Sequence, residues 1–284
     1  MVLVDGLVAS TVPELLVPES CRLRLVVLVH MPLGDGPPGQ ESAAERTREG
    51  AVLAAAVAVV TTSRWTRRRL LDRHPLRPEL VHVAQPGADP ADIAQGTPGG
   101  GELLCVAAVT PHKGHDVLLA ALAMIRHLPW QCTWVGSLDR DRGFVERLLS
   151  QARALGITDR VCTTGPLTGA GLETAYAGAD VLVLASRGET YGMVVTEALA
   201  RGLPVVATAV GGLPEALGRG PEGSSPGLLV PPGAPEALAV ALCAWLGDAD
   251  LRRRLRHAAE QRRSTLSGWS TTADQMSRVI AEVA

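Results

Sequence analysis

The sequence predicts an α/β protein built from two doubly wound parallel sheets. Short runs rich in Val and Leu alternate with longer patterns of helical period along the chain, as parallel strands joined by crossover helices require. The chain has 284 residues, which at about 150 residues per domain suggests two domains. Hydrophobic residues make up 46% and charged residues 20%, a composition that excludes disorder as the overall state.

Short apolar runs are expected to form the strands. In chain order they cover residues 2–4, 23–29, 57–61, 80–83, 103–109, 132–135, 161–163, 181–184, 205–208 and 228–230. The clearest helical patterns cover residues 116–127, 144–155, 193–201 and 235–246, and a further amphipathic pattern begins at Trp269. This alternation is typical of Rossmann-like domains.

The stretch 85–101 separates the two predicted domains, because it is rich in Pro and Gly and has neither helical nor strand period. The chain is therefore divided into a first domain over residues 1–95, a second over 96–265, and a C-terminal helix over 266–284 that packs back on the first domain. The first domain has four predicted strands and begins on one of them. An open sheet that starts at its middle leaves an edge or a face uncovered, so this domain is expected to be incomplete and to self-associate.

Charge and cysteine content exclude several classes of function. The chain has 27 Lys and Arg against 29 Asp and Glu, so it lacks the basic excess that favours nucleic-acid binding. Its five cysteines are scattered and never spaced as Cys-x-x-Cys, which argues against a disulfide framework or a zinc site. The longest apolar run, residues 51–60, is about half the length that a membrane span needs, and no signal peptide opens the sequence. These observations predict a cytoplasmic protein.

Two sequence patterns have the spacing of a phosphate-binding loop and of a metal site, but other interpretations fit them better. The segment 34–39 has the spacing Gly-x-Gly-x-x-Gly, but Pro37 and Pro38 remove amide donors from it, so a surface loop is expected. Asp139 and Asp141 follow a strand and could hold a divalent ion, yet they also fit the capping of the helix that comes next. Capping is the favoured interpretation, and no metal site is predicted.

The segment 185–208 carries the strongest functional signal. A buried strand leads through a Gly-flanked loop into a helix, and the free amides of such a helix bind anions at the carboxyl edge of a sheet. Glu189 lies in the loop and Glu197 in the second turn of the helix, so both can face one ligand. Alternatively, Glu189 only complements the helix dipole, worth about 0.3–1 kcal/mol, and Glu197 is solvated. That alternative leaves Gly188 and Gly192 unexplained.

Lys113 is the only lysine in a chain that otherwise uses Arg for its basic residues. A lone lysine before Gly114 suggests a site that needs a compact point charge instead of the planar fork of an arginine. Chance could also leave one lysine at any position.

Glu189 and Glu197 form an E-x7-E pattern that is accompanied by further motifs. Those of the second domain lie at residues 113–118, 164–167, 176–181, 202–206 and 210–215, and those of the first at 29–32, 60–65 and 86–89. Together they resemble the retaining glycosyltransferases of family 4, the group 1 glycosyl transferases of GT-B fold. The resemblance covers nearly the whole chain and implies a GT-B-like fold of two Rossmann-like domains, the first incomplete.

The resemblance also implies a role for each motif residue. Lys113 would hold the donor diphosphate, Glu197 the ribose hydroxyls, and the loop that begins at Gly188 the donor sugar and phosphate. Gly165 and Pro166 would border the base. The residues implied to bind the donor are Lys113, Gly165, Pro166, Gly188, Glu189, Thr190, Tyr191, Gly192, Met193 and Glu197, and those implied to act in catalysis are Glu189, His30 and Lys113.

The implied reaction is metal-independent transfer of a sugar from a nucleoside diphosphate (NDP) sugar to an acceptor with retention of configuration, and it needs no cofactor. The leaving phosphate would assist deprotonation of the acceptor. The acceptor is left open among a sugar, a lipid-linked molecule and a small molecule, and with it a peripheral contact with a membrane. Two alternatives stay open: a non-catalytic nucleotide-sugar-binding protein, and an epimerase or phosphorylase of the same fold.

The sequence departs from the family pattern in two places. The family usually has a Gly-Arg pair before the lysine motif, its Arg being a second diphosphate ligand, whereas Ala107 and Ala108 stand here. Arg187 or His112 is expected to substitute for that Arg. The glycine-rich loop of the family's first strand is also not found, which affects the acceptor side.

Overall fold

The computed structural model describes residues 1–33 and 42–284. In chain order its elements are β1 (Val2–Asp5), α1 (Gly6–Thr11), α2 (Pro13–Glu19), β2 (Leu25–Val29), α3 (Ala43–Ala55), β3 (Ala58–Thr61), α4 (Arg64–Arg73), β4 (Val81–Val83), β5 (Glu102–Val106), α5 (His115–Met124), β6 (Gln131–Val135), α6 (Arg142–Ala154), β7 (Val161–Gly165), α7 (Gly169–Ala177), β8 (Val181–Leu184), α8 (Met193–Ala200), β9 (Val205–Thr208), α9 (Leu213–Leu217), β10 (Gly227–Val230), α10 (Pro235–Gly247), α11 (Ala249–Arg263) and α12 (Trp269–Glu282). The glycine pattern at 34–39 lies outside the described residues.

The predicted α/β class is confirmed, and every predicted strand overlaps one of these strands. The largest displacement of a strand end is at residues 103–109, where β5 ends at Val106, three residues before the predicted end. Residues 107–109 continue the apolar run but belong to the loop that leads to Lys113. Apolar character alone therefore does not mark the end of a buried strand.

The chain divides into two compact units. The first comprises Met1–Gly87 and Ser267–Ala284, and the second comprises Ala88–Leu266. The division comes at Gly87, before the predicted boundary at residue 95, because the Pro- and Gly-rich segment is bound to the second unit. Its Ala94 amide donates to the Arg201 carbonyl at 2.9 Å.

Asp180, a fully buried carboxylate, fixes the same segment. It accepts hydrogen bonds from the amide and the hydroxyl of Thr97 at 2.5 and 2.6 Å, and from the Glu102 amide at 2.9 Å. The Arg256 guanidinium, on α11, lies 2.7 Å from the same carboxylate. One side chain thus joins the segment before β5 to the start of β8 and to α11.

The first unit has a parallel sheet of order β1-β2-β3-β4 within the described residues. Val26, Ala58, Val60 and Ala84 form one buried cluster with Val279 of α12. Helix α12 therefore covers part of the first sheet, although the whole second unit separates the two in sequence.

The second unit has a parallel sheet of order β10-β9-β8-β5-β6-β7 within the described residues. The chain runs outward from β5 through β6 to β7, then returns to place β8 on the other side of β5. This reversal is a topological switch point, where the carboxyl ends of neighbouring parallel strands leave a crevice for a ligand. All four residues of β8 are buried, as a central strand covered on both faces requires.

No helix within residues 1–33 and 42–284 combines the length and the apolar character needed to cross a bilayer.

Candidate donor site

Two loops meet at the switch point of the second unit. The loop after β5 carries Lys113, and the loop after β8 carries Glu189. The Lys113 Nζ lies 2.5 Å from the Glu189 Oε1, and the Ser186 hydroxyl donates to the same oxygen at 2.9 Å. Glu189 is only 12% exposed and Lys113 is 29% exposed, so the ion pair is partly shielded from water. The sole lysine and the first acid of the E-x7-E pattern are thus in direct contact.

Backbone contacts hold the two loops together. The Arg187 amide donates to the His112 carbonyl at 2.8 Å. Gly114 has a φ of +70°, and a Cβ atom there would lie 1.9 Å from the Ala185 carbonyl oxygen. Only glycine permits this conformation and this approach together. A Cβ at Gly188 would similarly meet the His112 ring, 2.9 Å from its Cε1 atom.

Arg187 is engaged within the second unit. Its guanidinium binds the Asp116 carboxylate through two nitrogens, at 2.9 and 2.6 Å, and also donates to the Pro111 carbonyl. Burial of Asp116 opposes its ionisation, but the hydrogen bonds and charge of Arg187 outweigh burial and lower the pKa of the Asp116 carboxyl. Of the two expected substitutes for the family's arginine, Arg187 is therefore committed to Asp116.

A third loop, after β9, packs against the backbone of Glu189. The Gly212 amide donates to the Glu189 carbonyl at 2.8 Å. A Cβ atom at Gly211 would lie 1.7 Å from the same carbonyl oxygen, so this residue has to be glycine for the loops to pack. The Gly211-Gly212 pair thus packs directly against the backbone of the Glu189 loop.

Helix α8 begins beside this ion pair. Its N-cap is Gly192, with a φ of +97° and no side chain that could occupy the first-turn amides. Tyr191 is buried and Met193 is 42% exposed at the start of the helix. A Cβ at Gly212 would lie 2.3 Å from the carbonyl oxygen of Thr190, so this part of the loop is also closely packed.

Glu197 lies one turn further along α8 and is partly exposed. Its Oε2 accepts a hydrogen bond from the Tyr176 hydroxyl at 2.8 Å. Since Glu189 and Glu197 belong to one loop and the helix that follows it, the second unit holds both acids of the E-x7-E pattern at the β8 side of the crevice.

Gly165 and Pro166 lie at the same carboxyl edge, at the end of β7. One strand, β6, separates β7 from β5, so these residues are about 10 Å from β5 at the usual strand spacing. Gly165 has a φ of +74°, and nothing lies within 4 Å of a Cβ atom placed on it. Its surroundings are therefore open.

Asp141 caps α6 through a 2.9 Å hydrogen bond from the Phe144 amide, which confirms the capping interpretation for this residue. Asp139 instead binds the Arg142 guanidinium at 2.7 and 2.9 Å. In residues 1–33 and 42–284, no group of three or more acidic, His or Cys side chains could hold a metal ion.

His30 belongs to the first unit. It follows β2, and its Nε2 lies 3.5 Å from Oδ2 of Asp5, which in turn caps α1. The contact of His30 with a donor sugar stays a prediction from the resemblance.

Sequence reasoning missed Ser186, Asp116 and Tyr176 as contributors to the site. Asp116 stands inside the motif at 113–118 and Ser186 inside the segment 185–208, and these positions are a signal that could have drawn attention to them. Tyr176 stands inside a quoted motif, but its hydroxyl meets a carboxylate 21 residues away, and local spacing does not reveal such a contact.

Comparisons with known proteins bear on this arrangement. Residues 95–262 match the family described as Glycosyl transferases group 1. The D-inositol 3-phosphate glycosyltransferase of Kineococcus radiotolerans is 34% identical over 265 residues, covering 85% of this chain and 60% of that enzyme. The enzyme of the same name from Salinispora tropica is 32% identical over 291 residues, covering 94% and 59%. The chain thus spans about 60% of the length of these two relatives.

Solved structures agree on the fold. HepE from Anabaena in complex with UDP-glucose is 22% identical with a TM-score of 0.80, covering 99% of this chain and 78% of that one. Sucrose-phosphate synthase from Thermosynechococcus elongatus is 25% identical with a TM-score of 0.78, covering 99% and 73%. The expected GT-B fold class is confirmed by these likenesses. The family match spans more than half of the chain, and the chain belongs to the group 1 glycosyl transferases, the glycosyltransferases of family 4.

Proposed function

We propose that this protein transfers a sugar from an NDP-sugar to an acceptor hydroxyl with retention of configuration and without a metal ion or other cofactor. The observation that carries the proposal is the contact of Lys113 with Glu189 at the switch point between β5 and β8, beside the uncapped start of α8. A cation, a carboxylate and free helix amides at one crevice suit a ligand with a diphosphate and a sugar.

Each group has a part in donor binding. Lys113 leaves Glu189 and binds the diphosphate, whose negative charge also interacts with the first amides of α8. Glu189 is then free to accept hydrogen bonds from sugar hydroxyls, together with the loop from Gly188 to Met193. Glu197 accepts from the ribose, and Gly165 with Pro166 borders the base. The HepE complex with UDP-glucose supports a nucleotide-sugar ligand for this fold.

The reaction breaks the bond between the anomeric carbon and the diphosphate oxygen. The acceptor oxygen attacks the same face of the sugar, and its proton passes to the departing phosphate oxygen. Lys113 and the α8 amides stabilise the charge that develops on this phosphate. Because the leaving group itself serves as the base, no separate protein nucleophile is required.

The metal-independent proposal is supported by how Asp139 and Asp141 are used, since one pairs with Arg142 and the other caps α6. We place the enzyme in the cytoplasm. Thiols stay reduced there, as the scattered cysteines of this chain are predicted to be.

Isothermal titration with UDP, GDP and ADP, each with and without EDTA, tests the donor site. We expect one nucleotide to bind with the same Kd in both conditions. The sugar nucleotide of that base is then incubated with candidate acceptors, and NMR of the product reports the anomeric configuration. Inversion would contradict retention, and a need for Mn²⁺ that disappears in Asp139→Ala would contradict metal independence.

The same assay separates the alternatives. Consumption of the sugar nucleotide without any acceptor and with change at one sugar carbon would indicate an epimerase, and a requirement for inorganic phosphate would indicate a phosphorylase. Binding without turnover in any condition would indicate a nucleotide-sugar-binding protein.

A further inference from the structure

Glu197 is oriented by one side chain from a neighbouring helix. Its Oε2 accepts the hydrogen bond from the Tyr176 hydroxyl of α7, at 2.8 Å. Tyr176 is fully buried, whereas Glu197 is partly exposed. In the part of the chain that the structure describes, this is the one hydrogen bond that the Glu197 carboxylate accepts. Its other oxygen, Oε1, is therefore left for a ligand.

The ring of Tyr176 is itself held in place. The guanidinium carbon of Arg201 lies 4.4 Å from the ring centroid, in a cation–π contact. Arg201 donates to the backbone carbonyl of Glu197 at 2.8 Å, and its other nitrogens bind the Glu173 carboxylate. The Arg201 guanidinium therefore binds the Glu173 carboxylate and a backbone carbonyl instead of the Glu197 carboxylate. The orientation of the Glu197 carboxylate thus depends on Tyr176.

The hydroxyl is a permanent donor. Burial, followed by the negative charge of Glu197, raises the pKa of Tyr176 far above its usual range. A carboxylate can only accept, so the proton of the phenol points at Glu197 Oε2 at every pH at which the carboxyl is ionised.

We propose that Tyr176 is a positioning residue for recognition of the nucleotide ribose, because its hydroxyl fixes Oε2 of Glu197 and so directs Oε1 to the ribose hydroxyls. The inference rests on the proposed function, in which Glu197 is the ribose ligand. Without the hydroxyl the carboxylate rotates more freely before binding, and ordering it then lowers the affinity. The base and the diphosphate do not contact Glu197 in this proposal, so their binding is independent of Tyr176.

Titration of the full chain with UDP and with 2′,3′-dideoxy-UDP tests this inference, with the corresponding GDP and ADP pairs measured in parallel. We expect the parent chain to prefer the ribonucleotide of at least one pair. In Tyr176→Phe the ribonucleotide should bind about fivefold more weakly, the effect of one typical hydrogen bond. The dideoxy nucleotide should bind within about twofold of the parent value.

The control is Thr174→Val, which removes a hydroxyl of the same helix whose one hydrogen bond among the described residues is to the Ala170 carbonyl. It should leave both affinities unchanged. Equal weakening of both nucleotides in Tyr176→Phe would show a merely structural role and overturn the inference, as would an unchanged preference for the ribonucleotide. A parent chain that binds none of the nucleotides, or does not distinguish the two members of any pair, contradicts the proposed function instead.

A second measurement applies even if Tyr176→Phe does not fold. The chain has only two tyrosines, so labelling with 3-fluorotyrosine gives two ¹⁹F resonances, which Tyr191→Phe assigns. The Tyr176 resonance should shift at saturating ribonucleotide and should shift less with the dideoxy analogue. In Glu197→Gln the difference between the two nucleotides should disappear. An identical response to both nucleotides in the parent protein would overturn the inference.

Discussion

Lys113 forms an ion pair with Glu189, and in the proposed donor complex a diphosphate replaces this pair. Replacing Lys113 with alanine removes a charged hydrogen-bond donor, so we expect Lys113→Ala to weaken NDP binding by about 1.5–3 kcal/mol. Isothermal titration measures the loss. Lys113→Arg should recover part of it, because the charge returns in a planar group that fits the position less well.

Arg253→Ala is the matched control for charge. Arg253 is 72% exposed on α11 and pairs only with Asp250 among the ion pairs of the described residues, so its loss should leave NDP affinity unchanged. If Lys113→Ala bound NDP as tightly as Arg253→Ala does, the diphosphate would have to be held elsewhere.

His115, two residues after Lys113, makes the unfolding free energy depend on pH. It is fully buried against Trp134 and near the Cys105 thiol, and burial lowers its pKa from 6.5 to about 4. Between these values the unfolded chain binds the proton and the folded chain does not. Stability conferred by this residue is therefore complete above pH 6.5 and falls by about 3 kcal/mol as the pH drops to 4.

Urea unfolding of the parent chain and of His115→Gln between pH 7 and pH 4.5 checks this dependence. The difference in unfolding free energy between the two proteins should shrink as the pH falls, since the variant has no proton to gain there. His257→Gln, at an exposed position of α11, serves as the control and should follow the parent at every pH. A constant difference between parent and His115→Gln would contradict the assignment.

At the scale of elements, the turn from β5 to α5 depends on Gly114. Gly114→Ala places a Cβ atom against the Ala185 carbonyl in addition to a left-handed backbone. We expect it to lower the unfolding free energy by more than the roughly 1–2 kcal/mol that the backbone conformation alone costs. It should also weaken NDP binding, because Lys113 and Glu189 move apart.

Gly156→Ala is the matched control. Gly156 has a φ of +68°, close to the +70° of Gly114, but nothing lies within 4 Å of its Cβ position. Calorimetric melting of both variants separates backbone strain from the clash between loops. Similar melting temperatures for the two would mean that the loops can separate at little cost.

The elements also show what sequence can and cannot predict. The apolar run 181–184 predicts β8 residue for residue, because four consecutive Val and Leu residues after Asp180 fit a strand that is buried on both faces. The absence of any period predicts a linker at residues 85–101, yet part of this segment is bound to Asp180 and Arg201. Its partners lie about 80 to 110 residues away in sequence, where no local pattern can indicate them.

The same limit applies to the site. The sequence singles out Glu189, Glu197 and Lys113, because a purely structural interpretation leaves the Gly-flanked loop unexplained and because Lys113 is the only lysine. The commitment of Arg187 to Asp116, and of Tyr176 to Glu197, follows from how the strands are ordered in the sheet. Sequence motifs thus identify the residues at the crevice but not which of them are already paired.

At the scale of the whole molecule, the second unit has a core of its own. One large cluster of buried residues, from Leu103 to Ala259, lies entirely within it, and the two clusters of the first unit contain none of its residues. A chain of residues 88–266 is therefore expected to unfold cooperatively by itself. It should bind NDP with an affinity within about tenfold of the parent, because Lys113, Glu189 and Glu197 are all present.

Circular dichroism melting and titration of the 88–266 chain against the full chain check this expectation. The variant Lys113→Ala in the short chain provides the control for specific binding. A short chain that melts without a cooperative transition would show that the buried cluster does not suffice, and one that folds but does not bind would place essential donor contacts in the first unit.

The composition of the first unit from two separate segments has a consequence for synthesis on the ribosome. Val279 belongs to α12, which is translated after all of the second unit, at roughly 5–20 residues per second. Until then Val26 and Val60 lack their cover, so nascent chains carry an apolar sheet face for about ten seconds or more. The second unit can fold during that interval, whereas the first has to wait. Ribosome-bound intermediates between residues 90 and 266 are thus the stage at which a chaperone has most to protect.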